Sequence, residues 1–221
     1  LIEWVTLANV VNAGGDIYDE AGNPTINTDA MRSVVEQLKS VADAGLMSPY
    51  GEDGYAMFQS GDVLFSTDGT WTSTAHGSVE GLNFGVTNIY SVTPDKFTNR
   101  SSAHLFSLLN NEDRTDEKEQ GIADFLSWMR ENSLDWAGAG QIVASKEVFE
   151  SEEYQQYPQS FFTSSDVEKE ASYIFDYKYY SYVESALGTV LSDMIYGNIT
   201  IDEGLDQAQK TVEDLIAENA S

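Results

Sequence analysis

Three features of the chain predict an α/β fold: amphipathic helical stripes, short β-prone apolar runs interleaved with them, and enough apolar residues for a core. Of 221 residues, 41% are hydrophobic and 12% aromatic, a composition too rich in core formers for a disordered acidic chain. The 37 acidic side chains against 11 basic ones give a formal charge of −26, which must then spread over a folded surface. Such a surface repels phosphate backbones and anionic lipid headgroups, so neither a nucleic-acid partner nor electrostatic membrane docking is expected. The absence of cysteine removes disulfides, thiolate chemistry and cysteine-held zinc or iron–sulfur sites, while leaving the compartment open. No stretch approaches the roughly 20 consecutive apolar residues that cross a bilayer, and no basic-then-apolar leader opens the chain. The first residue, Leu1, falls inside the periodic apolar segment Leu1, Ile2, Val5, Leu7, Ala8, Val10 and Val11, so the sequence is read as a fragment of a longer protein.

That first segment is predicted as a helix over 1–11, stopped by Gly14-Gly15. Ile17 and Tyr18, followed by turn formers at Gly22, Asn23 and Pro24, predict two short strands in a hairpin. Asn27 or Thr28 caps the next helix, whose stripe is Met31, Val34, Val35, Leu38, Val41 and Ala42 and whose stop is Gly45. A short helix carries Tyr55 to Phe58 up to Gly61. Three apolar runs, Val63–Phe65, Phe84–Thr87 and Leu105–Leu109, are predicted as buried strands. Between the first two, Asp68-Gly69-Thr70-Trp71 forms a turn leading into a helix. Another helix opens near Thr115, with Ile122, Phe125, Leu126 and Met129 on one stripe. The longest helix is predicted from Tyr173 or Asp176 to Tyr196, ended by Gly197. Thr200-Ile201-Asp202-Glu203 is a capping box for the last helix, striped by Leu205, Ala208, Val212 and Leu215.

Four stretches in this order resemble one family. They are Gly14–Tyr18 with Pro24–Asn27; Tyr55–Phe65 followed by Asp68-Gly69-Thr70-Trp71; Ser102–Phe106 with the later Phe125–Trp128; and Gly197–Leu205. Together they resemble the C-terminal portion of family 1 extracellular solute-binding proteins, the sugar-capturing subunits of ABC importers. Gly204 stands where that pattern usually has alanine. The resemblance implies a type II periplasmic-binding-protein-like fold, mainly its C-terminal lobe. It assigns 1–104 and 146–221 to that lobe and 105–145 to a crossing segment that belongs to, or leans toward, an N-terminal lobe missing from the sequence. It also implies a non-enzymatic protein, extracellular or periplasmic and lipid-anchored in its full-length form. Its partners would be a carbohydrate and the permease subunits of a transporter, with the ligand held in a cleft between two lobes.

Six residues are candidates for ligand contact. Trp71 follows a turn, and its flat indole suits stacking on the C–H face of a sugar ring; the competing reading is an ordinary core tryptophan. Tyr179 and Tyr180 lie off the buried stripe on which Tyr182 falls, and phenols offer both a stacking surface and a hydroxyl; the alternative is a solvated aromatic patch or an interface. Trp136 and Gln141 flank Gly138 and Gly140 in a loop where backbone can approach a ligand, or in a plain helix-terminating loop. His104 is a sugar hydrogen-bonding group or a structural histidine. With His76 it completes the histidines of the chain, too few for a zinc site or an orderable Ser–His–Asp arrangement. No catalytic residue, metal ligand or cofactor is assigned. Asp16, Asp19 and Glu20 lack the alternation and closing Glu of a calcium loop, and the acidic run 166–170 reads as a solvated face. Asn99-Arg100-Ser101, Asn198-Ile199-Thr200 and Asn219-Ala220-Ser221 are formal glycosylation sequons, relevant only in a source that glycosylates. The rival function is a glycoside hydrolase or other carbohydrate-active domain. It needs two carboxylates across one sugar site, and no acid-bearing motif places such a pair.

Overall fold

The computed structural model describes residues 2–164, 166 and 170–219. Leu1, most of the acidic run 166–170 and the last two residues of the final sequon lie outside the described residues. The chain divides into two compact units, Leu1–Asp68 with Asn88–Ser101 and Glu170–Ser221, and Gly69–Thr87 with Ser102–Lys169.

The first unit is organised by helices Ile2–Asn12, Asp29–Asp43, Tyr180–Ile195 and Ile201–Glu218, with a short helix at Gly54–Ser60. Local signals set their ends. Thr28 caps the second helix by accepting from the Met31 N–H, and Gly45, Gly61 and Gly197 adopt positive φ where helices stop. At the last helix both halves of the capping box form, with Thr200 accepting from the Glu203 N–H and Glu203 accepting from the Thr200 N–H. Val5, Leu7, Val10, Met31, Val34, Val35, Leu38, Val183, Leu187, Val190, Leu191, Leu205 and Val212 meet in one core. The hairpin of the last two helices closes tightly. A Cβ added to Gly204 would lie 2.3 Å from the Met194 sulfur, which explains a glycine where the family resemblance leads one to expect alanine.

Sheet structure is slight. Asn99–Arg100 and Ser172–Tyr173 pair in parallel, with Asn99 opposite Ser172, and the expected hairpin reduces to a single antiparallel bridge between Tyr18 and Pro24. The pairing of Ser172–Tyr173 commits that stretch to an extended form, so the long helix begins at Tyr180 rather than at 173 or 176. None of the three apolar runs expected as strands forms a ladder. Leu64, Phe65, Leu105 and Leu109 are 77–86% exposed, because an apolar run becomes a buried strand only where neighbouring strands and a covering layer exist.

The second unit contains helices Ser73–Gly77, Asp116–Glu131, Ser133–Gly138 and Lys146–Phe149 with 3₁₀ turns at Thr70–Thr72, Tyr154–Gln156 and Pro158–Thr163, and no strand among its described residues. Its core is small: Ala137, Val143 and Tyr154, with Leu134, Val148, Phe149 and Tyr157 packed against them. The helix Asp116–Glu131 buries none of its residues; Phe125 and Trp128 are exposed and Leu126 and Met129 half-buried. Within the second unit, Thr74 donates to the Gly138 carbonyl (2.8 Å) and buried Gln159 donates to the Ala137 and Gln141 carbonyls (2.7 and 3.3 Å).

Candidate functional site

Four of the six candidates, Trp71, His104, Trp136 and Gln141, fall in the second unit, and a chain of short contacts joins their segments. Trp71 occupies the middle of the 3₁₀ turn Thr70–Thr72. Thr72 fixes that turn, its N–H and hydroxyl both donating to the Gly69 carbonyl at 3.1 and 2.9 Å. The indole is 46% exposed, so it is not a core side chain. Its six-membered ring lies on Gly69: a Cβ there would come within 2.1–2.3 Å of three ring carbons.

The segment carrying Trp136 and Gln141 also meets this turn. Helix Ser133–Gly138 ends in Gly140 at φ +85°, a left-handed conformation that glycine adopts without strain. A Cβ on Gly140 would sit 2.5 Å from the Thr70 carbonyl oxygen and 2.9 Å from the Trp71 Cα. The glycine of this loop therefore permits close approach to the Trp71 backbone. Trp136 is 44% exposed, and the exposed His104 ring stands edge-on to it at 5.8 Å and 89°. Gln141 is half-buried, and its carbonyl is taken by Gln159. Two half-exposed indoles, an imidazole and an amide thus occupy connected segments of one unit. They provide apolar ring faces beside polar donors and acceptors, the combination that holds a polyhydroxylated ligand. His76, the other histidine, is buried with its ring edge-on to Phe84 at 5.6 Å.

Tyr179 and Tyr180 lie in the first unit, and the structure treats them differently. Tyr179 is half-buried, stacked on Tyr182 at 5.9 Å, with the Lys178 ammonium 4.7 Å from its ring centre. Tyr180 stacks on Phe175 at 5.1 Å; its hydroxyl accepts from Arg100 Nε (3.1 Å) and donates to Glu184 Oε1 (3.0 Å). Burial pushes its phenol up to about 12. Its polar capacity is spent inside the fold. The spacing of aromatic residues along the helix start does not reveal this, since the partners come from distant segments.

The acidic loop near Asp16 is used structurally. Tyr177 donates to Asp16 Oδ2 (2.7 Å) and stacks on Tyr18 at 4.0 Å, while Asp19 accepts from the N–H groups of Ala21 and Asn23 and from the Asn23 amide. The Asn23 side chain, foremost among these donors, holds the Asp19 carboxyl below its usual range. Among the described residues no group of three His, Asp or Glu is placed to hold a metal ion. Two shallow open concavities, one along Gly197–Ile201 beside Lys39 and one between Phe84–Val86 and Gln156–Phe161, contain none of the six candidates.

No protein-family profile matches the sequence, and no curated protein does either. Solved structures match in fold. The maltose/maltodextrin-binding domain MalE of Bdellovibrio bacteriovorus, bound to maltotriose, superposes with a TM-score of 0.77 at 16% identity over 97% of this chain and 57% of its own. The maltose-maltodextrin binding protein of Alicyclobacillus acidocaldarius gives 0.71 at 16% identity over 96% and 58%. The cyclic alpha-maltosyl-1,6-maltose binding protein of Arthrobacter globiformis gives 0.68 at 19% identity over 99% and 56%. The fold is that of type II periplasmic sugar-binding proteins, and this chain spans a little over half the length of each neighbour.

Proposed function

We propose that the chain is the C-terminal portion of a non-enzymatic carbohydrate-binding protein, the capture subunit of an ABC importer. In that reading it takes up an oligosaccharide outside the cytoplasm, in a protein anchored as a lipoprotein, and delivers it to membrane permease subunits. The observation that carries the reading is the half-exposed Trp71, fixed on a tight turn and joined through Gly140 to the loop bearing Trp136 and Gln141. The likeness of fold to three proteins whose ligands are maltodextrins or a cyclic maltosyl-maltose supports the same ligand class. Trp71 and Trp136 supply stacking faces, while His104 and Gln141 supply hydrogen bonds to hydroxyl pairs. Tyr180 orients the neighbouring helix start through Arg100 and Glu184 rather than offering its hydroxyl to a ligand.

The proposal extends to organisation. The runs Val63–Phe65, Phe84–Thr87 and Leu105–Leu109 have no ladder partners among the described residues, and the stripe of Phe125 and Trp128 is uncovered. Both features fit strands and a helix completed by a region outside this sequence, with 105–145 belonging to, or leaning toward, an N-terminal lobe.

The test is a thermal-shift and calorimetric titration of the protein with maltose, maltotriose and a longer maltodextrin. Saturable stabilisation that grows with the logarithm of ligand concentration is the expected result. New reducing ends during incubation would instead establish a hydrolase. No shift with any sugar, in this chain or in a longer protein that contains it together with the second lobe, would remove the carbohydrate reading.

A further inference from the structure

The backbone at Gly69 gives no reason for a glycine. Its φ of −83° and ψ of 156° are ordinary extended values open to any residue. It stands at the N-cap of the turn Thr70–Thr72, where Ser, Thr, Asp or Asn would add a hydrogen bond, and no side chain caps that turn. What the position does require is space. A Cβ would fall 2.1 Å from the Trp71 Cη2, 2.2 Å from Cζ3 and 2.3 Å from Cζ2, distances that no pair of carbon atoms tolerates. These atoms are the far end of the indole, so an added methyl would displace the ring and leave the backbone where it is.

The turn's backbone is in close contact as well. Gly140 lies against the Thr70 carbonyl and the Trp71 Cα, so the Trp71 backbone has no room to shift toward it. The two glycines thus act on different parts of one residue. Gly140 fixes where the Trp71 backbone sits, and Gly69 fixes where its ring lies. Only the second can be altered without moving main chain.

We infer that Gly69 is a positioning residue for ligand binding, forgoing a helix cap so that the Trp71 indole can lie flat over it as a half-exposed platform for a sugar ring. This inference rests on the carbohydrate-binding reading of Trp71. The cradle acts through Trp71 and not through contact with the ligand.

The experiment measures maltotriose affinity and thermal midpoint for the wild-type chain, Gly69→Ala, Gly69→Ser, Trp71→Ala and the Gly69→Ala/Trp71→Ala double variant. It also follows the ring by fluorine NMR of fluorotryptophan-labelled protein, with the Trp71 resonance assigned by its loss in Trp71→Ala. Gly69→Ala is expected to move the Trp71 resonance and to weaken maltotriose binding about tenfold. In the Trp71→Ala background the same change should have no further effect. Gly69→Ser separates positioning from folding, since it should hold or raise the thermal midpoint through a new cap while still weakening binding. Unchanged affinity in Gly69→Ala, or an equal loss with and without Trp71, would overturn the inference although the wild type binds. A wild type that binds no oligosaccharide, alone or within a longer protein that supplies the second lobe, with the resonance still displaced by Gly69→Ala, would overturn the carbohydrate reading and the platform with it, leaving the cradle as packing alone.

Discussion

The guanidinium of Arg100 lies 4.4 Å above the Trp4 ring centre, and the same Glu184 carboxylate oxygen accepts from both residues, at 2.9 Å from Arg100 Nη2 and 2.6 Å from Trp4 Nε1. Tyr180 completes the group by donating to that oxygen and accepting from Arg100 Nε. Three stretches of the first unit are joined here: the N-terminal helix, the short strand and the start of the long helix. Arg100 is 13% exposed and Glu184 25%, so solvent screens the pair only in part. Arg100→Ala should lower unfolding free energy by about 2–4 kcal/mol, combining a lost cation–π contact with a half-buried carboxylate deprived of its cation. Arg100→Lys should recover less than half, since an ammonium cannot stack flat and bridge two acceptors together. Urea denaturation of both variants checks this; equal stability of Lys and Arg at 100 would show that only the charge matters.

The formal charge of −26 makes self-repulsion a standing cost of folding. Few cations offset it, and those paired at the surface, such as Lys39 with Asp43 and Lys210 with Asp214, sit in screened positions worth little. Raising sodium chloride from about 0.05 M to about 1 M shortens the Debye length to roughly 3 Å and should raise the thermal midpoint by several degrees. Chloride is the anion to use, because sulfate would stabilise by exclusion from the surface whatever the charge. A flat or falling midpoint would mean that ion pairing outweighs repulsion.

What could be read from the sequence follows the range of the interaction. The Thr200–Glu203 capping box, the Thr28 cap and the stops at Gly45, Gly61 and Gly197 all form, because each depends on residues within one turn. The turn at Asp68–Trp71 is local too, whereas the exposure of Trp71, which the sequence leaves open between a stacking and a core residue, is set by the fold. For Val63–Phe65 and Leu105–Leu109, apolar content alone predicts burial, yet burial of a strand depends on partners elsewhere in the chain or beyond it. The approach of Gly140 to the Trp71 turn is hidden for the same reason: Gly140 and Thr70 are 70 positions apart, and only the fold sets one against the other. The Arg100 group draws on residues 4, 100, 180 and 184, which no spacing rule connects.

Three phenols predict the alkaline limit of the first unit. Burial, followed by the nearby Asp16 charge, pushes Tyr18 up to about 12; burial raises Tyr180 to about 12; burial and the bond to Asp16 raise Tyr177. Unfolded tyrosine titrates near pH 10, so over the next two pH units the folded chain keeps protons that the unfolded chain releases. The stability carried by these phenols is therefore complete below about pH 10 and is lost as pH rises toward about 12. Urea midpoints should hold between about pH 8 and pH 9.5 and fall steeply above it. Titration of all twelve tyrosines near pH 10 in still-folded protein would contradict the burial argument.

The uncovered helix Asp116–Glu131 gives the sharpest test of how this chain relates to a longer protein. Its N-terminus is secured by Thr115, which accepts from the Lys118 N–H, and Phe106 packs edge-on to Phe125 at 5.9 Å, yet no residue of the helix is buried. Trp128 is 56% exposed, so Trp128→Gln in the 221-residue chain should change unfolding free energy by no more than about 0.5 kcal/mol. Leu187→Ala, removing a fully buried side chain of the first unit, should cost about 2–5 kcal/mol in the same chain and serves as the control. If a region outside this sequence covers the Phe125–Trp128 stripe, the same Trp128→Gln change in a longer protein containing that region should cost about 3 kcal/mol or more, because the indole is then a core side chain. Binding of a hydrophobic dye should fall in parallel when the longer protein replaces the shorter one. A small cost in both contexts would show the stripe to be a solvent face, and residues 105–145 would then have no lobe to complete.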